Sequence, residues 1–95
     1  MKVSVIIPAF NVEKYIGRCL NSAIKQTLDN SQYEIIIIND CSEDKTLDVI
    51  NKYADKFENL LIINNLRPQG PGMSRNKGLK FSKGRYIFFL DSDDY

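Results

Sequence analysis

The sequence predicts an α/β fold, a parallel sheet with helices on both faces, on three observations. Apolar runs of strand length alternate with stretches of helical periodicity along the 95 residues, which is the pattern of linked βαβ units. The run Ile35 to Ile38 is apolar at every position rather than at every second one, as a strand covered on both faces requires. Strands joined at this spacing by right-handed crossovers place helices on both sides of one sheet, in the Rossmann-like class.

Val3 to Ile7 is a short β-branched run closed by Pro8, which cannot continue a central ladder, so the first strand is expected to end at residue 8. Asn11 is a good helix N-cap, and Val12, Tyr15, Ile16, Cys19, Leu20, Ala23, Ile24 and Leu28 then recur at helical spacing. Asp29-Asn30-Ser31 breaks that pattern, and Tyr33 to Ile38 reads as an interior second strand. Ser42 is placed to cap a second helix whose first turn holds Glu43 and Asp44, with Leu47, Ile50, Tyr53, Ala54 and Phe57 as its inner stripe. Leu60 to Ile63 follows as strand three. The stretch from Asn64 to Gly72 carries Pro68, Gly70, Pro71 and Gly72 and reads as a loop. Met73 to Ser82 forms a short helix ended by Gly84, and Tyr86 to Leu90 is the fourth strand.

Composition bounds the function. A content of 43% hydrophobic and 26% charged residues is that of an ordinary globular chain, and its length suits one small domain of modest stability. A net charge of +1, with lysines spread along the chain, gives no footprint for a nucleic-acid polyanion. The apolar runs are far shorter than the ~20 residues that span a bilayer, and Met-Lys-Val-Ser-Val carries no signal-peptide pattern. A cytoplasmic location is expected, membrane-peripheral at most in a longer protein. Cys19 and Cys41 have no metal-ligand spacing and read as free thiols.

Ligands of open parallel sheets bind outside the carboxyl ends of the strands. Those ends carry Pro8-Ala9-Phe10-Asn11, Asn39-Asp40, Asn64-Asn65 and Asp91-Ser92-Asp93-Asp94, so carboxylates and an aromatic ring converge on one edge. Three aspartates within four residues repel one another unless a cation or hydrogen-bonding ligand lies between them. Oxygen-only ligation selects a hard ion, Mg²⁺ or Mn²⁺, with substrate phosphates completing the shell. Taken alone, the Asp-x-Asp tripeptide is common and reads first as a solvated acidic turn. Asp40 either accepts the ring N–H of a base or caps the following helix. Phe10 either lies against a base or packs the first helix. Arg75, after the Gly-rich loop, either meets a phosphate beside helix N-terminal amides or forms a surface ion pair.

Four segments taken together closely resemble family 2 glycosyltransferases of the GT-A fold, the group that builds bacterial polysaccharides and related glycans. They are Val3 to Ile16, Glu34 to Asp44 with Asn39-Asp40-Cys41-Ser42, Gln69 to Gly78, and Gly84 through Tyr95. The resemblance implies that Pro8, Phe10 and Asp40 contact the nucleotide base, that Glu13 lies near the nucleoside, and that Arg75 lies near base or phosphate. It implies Asp91 as the ribose-side carboxylate and Asp93 as the metal ligand, with Mg²⁺ or Mn²⁺ as cofactor. The implied reaction moves a sugar from a nucleotide-diphosphate donor, often a UDP-sugar, to a hydroxyl of a glycan or lipid-linked acceptor. It usually inverts the anomeric centre and uses a base that would lie beyond Tyr95. Residues 1–95 are therefore expected to be the donor-binding half of the domain, truncated after Asp-x-Asp, inactive alone and able to self-associate through an uncovered sheet edge.

Three departures stand out. Phe10 replaces a frequent tyrosine and keeps the stacking face, Cys41 replaces a frequent glycine, and Pro71-Gly72-Met73 replaces a commoner run of small residues. Rival readings meet specific obstacles. A receiver-like nucleotide or phospho-regulated module predicts acidic residues after strand one, where Pro8-Ala9-Phe10 stands. A dinucleotide-binding domain needs G-x-G-x-x-G there, and a nucleotidyltransferase a glycine-rich basic loop, and the turn contains no glycine.

Overall fold

A computed structural model describes residues 2–26 and 32–92 of the chain. The elements run β1 (Val3–Ala9), α1 (Ile16–Gln26), β2 (Tyr33–Asn39), α2 (Thr46–Ala54), β3 (Leu60–Asn64), α3 (Pro71–Phe81) and β4 (Tyr86–Phe89). The four strands form one parallel sheet in the order β3-β2-β1-β4, so the α/β expectation holds.

Strand alternation splits the isoleucines between two cores. Ile7, Ile35 and Ile37 pack with Ile16, Cys19 and Leu20 of α1, Ile50 of α2 and Phe57. Ile6, Ile36 and Ile38 face the other way, toward α3, whose Gly78 lies against them. A Cβ at Gly78 would stand 2.5 Å from Ile6 Cγ2 and 3.0 Å from Ile38 Cδ1, which explains a glycine in a helix interior despite its cost of roughly 1 kcal/mol there. All six of those strand isoleucines are fully buried, each stabilising the fold by about 1.5–3 kcal/mol relative to exposure.

The order places β2 and β3 on one side of β1 and β4 on the other. The chain therefore reverses direction across the sheet between β3 and β4, and the switch point lies between the carboxyl ends of β1 and β4. Pro8 explains why these ends separate. Strand β1 runs one residue past the expected stop, to Ala9, with Pro8 paired to Ile38. Ile6 accepts from the Leu90 N–H on the β4 side, while Ala9 accepts from the Asp40 N–H on the β2 side. By alternation the Pro8 nitrogen points toward β4, where the ladder has already ended at Ile6–Phe89. The missing donor is lost on the side that has no partner strand.

The two loops after β1 and β2 are laced together. The Asn11 N–H donates to Ser42 Oγ at 3.1 Å, and Asn11 Oδ1 accepts from the Glu43 N–H at 2.8 Å. The Val12 N–H donates to Thr46 Oγ1 at 2.9 Å, and the Glu13 N–H to Asp44 Oδ2 at 3.3 Å. These contacts overturn two cap assignments. Helix α1 starts at Ile16 and α2 at Thr46, because the Asn11 and Ser42 side chains bond to each other's loops rather than to their own helix starts. Asn11 and Cys41 both take left-handed φ, +50° and +59°; at Cys41 this is the backbone for which glycine is the usual choice. Leu28 and the Asp29-Asn30-Ser31 break lie outside the described residues.

Candidate functional site

A cleft of about 610 Å³ opens at the switch point, walled by Pro8, Phe10, Asp40, Gly70, Arg75 and Asp91 among others. The structure thus gathers five of the seven predicted site residues in one depression. Phe10 is 48% exposed and precedes the laced loop. Glu13 is exposed and does not line the cleft; it joins the loop lacing through its backbone. Asp93 lies outside the described residues.

Asp40 has an environment that neither sequence reading contained. Its side chain is 5% exposed. Oδ1 accepts from Asn65 Nδ2 at 2.8 Å and from the Gln69 N–H at 2.7 Å, and Oδ2 accepts from the Gly70 N–H at 2.9 Å. The carboxylate therefore fastens the Gly-rich loop to the sheet and does not cap α2. Burial opposes its ionisation, but the Asn65 amide, the two backbone N–H groups and the charge of Lys77 outweigh that and hold its pKa below the usual carboxylate value.

The Gly-rich loop earns its composition at Gly70, whose φ of +88° suits glycine. Pro71 follows as the first residue of α3, where its lack of an N–H costs nothing. The positive end of α3 thus opens on the cleft, with Ser74 and Arg75 of its first turns in the wall. Across the mouth, Arg75 Nη2 pairs with Asp91 Oδ1, so the ion-pair reading of Arg75 holds in this state while its position keeps it at the cleft.

The sequence placed Asn65 on the ligand edge without a role, and Ser74, Gln69 and Lys77 were not singled out. Asn65 follows β3 at the same sheet edge as Asp40, and Ser74 and Gly78 of α3 are buried at helical spacing. Lys77 lies within that inward face, where a cation needs a partner. That position is the signal that marks it.

Among the described residues, no three carboxylate, thiolate or imidazole groups come together as a metal centre. The described part of the last turn offers one carboxylate at the cleft, Asp91, turned to Arg75. These residues alone do not form a metal site.

Sheet topology and cleft together define a Rossmann-like α/β domain with a cleft at the switch point. The family model described as Glycosyl transferase family 2 matches residues 4–95, and the chain belongs to that family. A poly(ribitol-phosphate) beta-glucosyltransferase of Bacillus spizizenii is 46% identical over 96 aligned residues, which cover all of this chain and 15% of the relative. The crystal structure of Staphylococcus aureus TarS 1-349 in complex with UDP-GlcNAc superposes with a TM-score of 0.94 at 44% identity, over all of this chain and 27% of that one. The mannosyltransferase PcManGT from Pyrobaculum calidifontis, solved with GDP-Man and Mn²⁺, shares the fold at a TM-score of 0.90 and 21% identity, over 97% of this chain and 27% of its own. The chain thus spans about a sixth of its curated relative and about a quarter of these structures, and both relatives and neighbours bear glycosyltransferase names.

Proposed function

We propose that the cleft binds the nucleoside diphosphate of a UDP-sugar, and that residues 1–95 are the donor-binding half of a glycosyltransferase in cell-surface polysaccharide synthesis. The observation that carries this reading is the meeting of a stackable ring (Phe10), a buried ionised carboxylate (Asp40) and a guanidinium at a helix start (Arg75) in one cleft. These are the groups that a base and a diphosphate need.

The geometry of Asp40 favours uracil over guanine. A carboxylate has about four lone-pair positions, and three are taken by Asn65, Gln69 and Gly70. The one left, on Oδ2, matches the single ring N–H of uracil. The guanine edge presents two adjacent donors and needs both oxygens. The complexes of TarS with UDP and UDP-GlcNAc support the same choice.

On donor binding, Arg75 leaves Asp91 for a phosphate, and Asp91 becomes free for a ribose hydroxyl. Asp93 and the diphosphate are proposed to hold Mg²⁺ or Mn²⁺, which would neutralise charge developing on the leaving group. The sugar passes with inversion to a hydroxyl of a glycan or lipid-linked acceptor. Edge strand β4 exposes Tyr86 and Phe88 at 62% and 65%, which supports self-association through that edge.

Titration calorimetry tests the reading. UDP is expected to bind, more tightly with Mn²⁺ or Mg²⁺ than with chelator, and to lose affinity in Asp40→Ala. Tighter binding of GDP would overturn the uracil assignment. Failure of both nucleotides in every metal condition would overturn the donor site.

A further inference from the structure

Lys77 lies on α3 between the buried Ser74 and Gly78 and is itself half-buried. Its Nζ donates to Asn65 Oδ1 at 2.7 Å. With that oxygen occupied, the amide nitrogen faces the other way and donates to Asp40 Oδ1 at 2.8 Å and to Ser74 Oγ at 3.3 Å. A flipped amide would set its NH₂ against the ammonium and its oxygen against the carboxylate. Both contacts would then be repulsive, so the charges of Lys77 and Asp40 dictate one orientation. Asn65 is 5% exposed, which leaves water little room to compensate for a wrong one.

We propose that Lys77 is a positioning residue for the nucleotide site: its ammonium orients the Asn65 amide, and through that amide it fixes the Asp40 carboxylate and the loop 66–70 that walls the cleft. For the nucleotide this rests on the donor-site reading; for the carboxylate and loop it rests on the geometry alone. The relay joins three separate elements, α3, the end of β3 and the end of β2, in a single line of hydrogen bonds. It also explains how a loop with little regular structure is held: Gln69 and Gly70 donate to a carboxylate whose own orientation is set from behind.

Lys77 on α3 is the charged side chain whose field bears on Asp40. The other charged groups lining the cleft, Arg75 on α3 and Asp91 after β4, face each other. Asp44 in the β2–α2 loop is bonded to Thr46 and to the Glu13 N–H, and Arg67 of the Gly-rich loop is exposed. Removing the ammonium therefore acts on Asp40 both directly and through the amide.

The test follows the backbone amide resonances of Gln69 and Gly70 by NMR as a function of pH, with their hydrogen exchange, in the parent chain and in Lys77→Met and Lys77→Arg. In Lys77→Met the titration midpoint moves upward and exchange of the two amides quickens by about tenfold, the effect of roughly one lost charge-assisted hydrogen bond. Lys77→Arg restores both. UDP affinity in Lys77→Met falls by a similar factor, and its acid limb moves with the amide midpoint. Lys77→Gln, which keeps a donor without charge, gives the same upward shift should Lys77→Met fail to fold. A neutral variant whose melting temperature falls while the midpoint stays in place overturns the proposal, as does an equal shift in Lys77→Arg. Failure of the parent chain to bind UDP overturns the donor reading, and the amide titration then still decides the role of Lys77.

Discussion

Arg75 Nη2 lies 3.1 Å from Asp91 Oδ1, an ion pair that joins the first turns of α3 to the residue after β4 across the mouth of the cleft. The two side chains are 37% and 57% exposed, so water and salt screen the pair and its net worth is about 0–1 kcal/mol. A diphosphate offers Arg75 a bidentate partner with more charge. The pair is thus easily exchanged for a ligand.

Arg75→Ala is accordingly expected to change folding stability by less than about 1 kcal/mol and to weaken UDP binding by about tenfold or more. Urea unfolding and calorimetry on the same preparations separate the two effects. A large stability loss with unchanged affinity would make Arg75 a structural residue.

Thr46 carries two bonds at once, accepting from the Val12 N–H at 2.9 Å and donating to Asp44 Oδ1 at 2.5 Å. It is fully buried. Thr46→Val keeps the shape and leaves the Val12 donor without its acceptor, at an expected cost of about 1–3 kcal/mol. Chemical denaturation should show that loss, whereas Thr46→Ser, which keeps the hydroxyl, should recover most of it.

Gly78→Ala sets helix propensity against packing. Propensity alone would stabilise α3 by roughly 1 kcal/mol. The added methyl would stand 2.5 Å from Ile6 Cγ2, and overpacking of this kind typically costs about 1–3 kcal/mol. Net destabilisation is expected, and Ile6→Val, which removes Cδ1 but keeps Cγ2, should not relieve it. A more stable Gly78→Ala would show that α3 can lift from the sheet without penalty.

Asp40 and Asp44 both have folded-state pKa values lowered from 3.8. For each, burial works in the opposite direction and is outweighed by hydrogen bonds, chiefly from Asn65 to Asp40 and from Thr46 to Asp44. A lowered folded pKa means that the unfolded chain binds more protons in acid. The stability these groups contribute is full above the unfolded value and is lost as pH falls through the folded one. Unfolding free energy should therefore decline below about pH 4, and Asp40→Asn should flatten part of that decline. An acid limb identical in Asp40→Asn would remove Asp40 as its source.

The strands were legible because β-branched runs of strand length need no distant partner to declare themselves, and β1 to β4 fall within a residue or two of expectation. The cleft was legible for a topological reason: the ends of parallel strands share one edge, so Pro8, Phe10, Asp40 and Asp91 had to meet there. Helix starts were less so. Asn11 and Ser42 carry the chemistry of caps, but each bonds to a loop about 30 residues away in sequence, and local signals cannot choose between two acceptable partners. Asp40 showed the same limit from the other side, since both of its sequence readings looked outward or forward while its real partners lie 25 to 30 residues downstream. The Asn65–Lys77 contact, spanning 12 residues across a loop, had no local signature beyond a cation on the inward side of a helix.

The opening between β1 and β4 owes its existence to an atom that is not there. An imino nitrogen without hydrogen cannot be titrated, screened by salt or rotated away, so no change of medium supplies the missing donor. The ion pair across the same mouth, exposed to water on both sides, is screened by salt. The domain thus joins a fixed gap in the ladder to a contact that ionic strength can weaken.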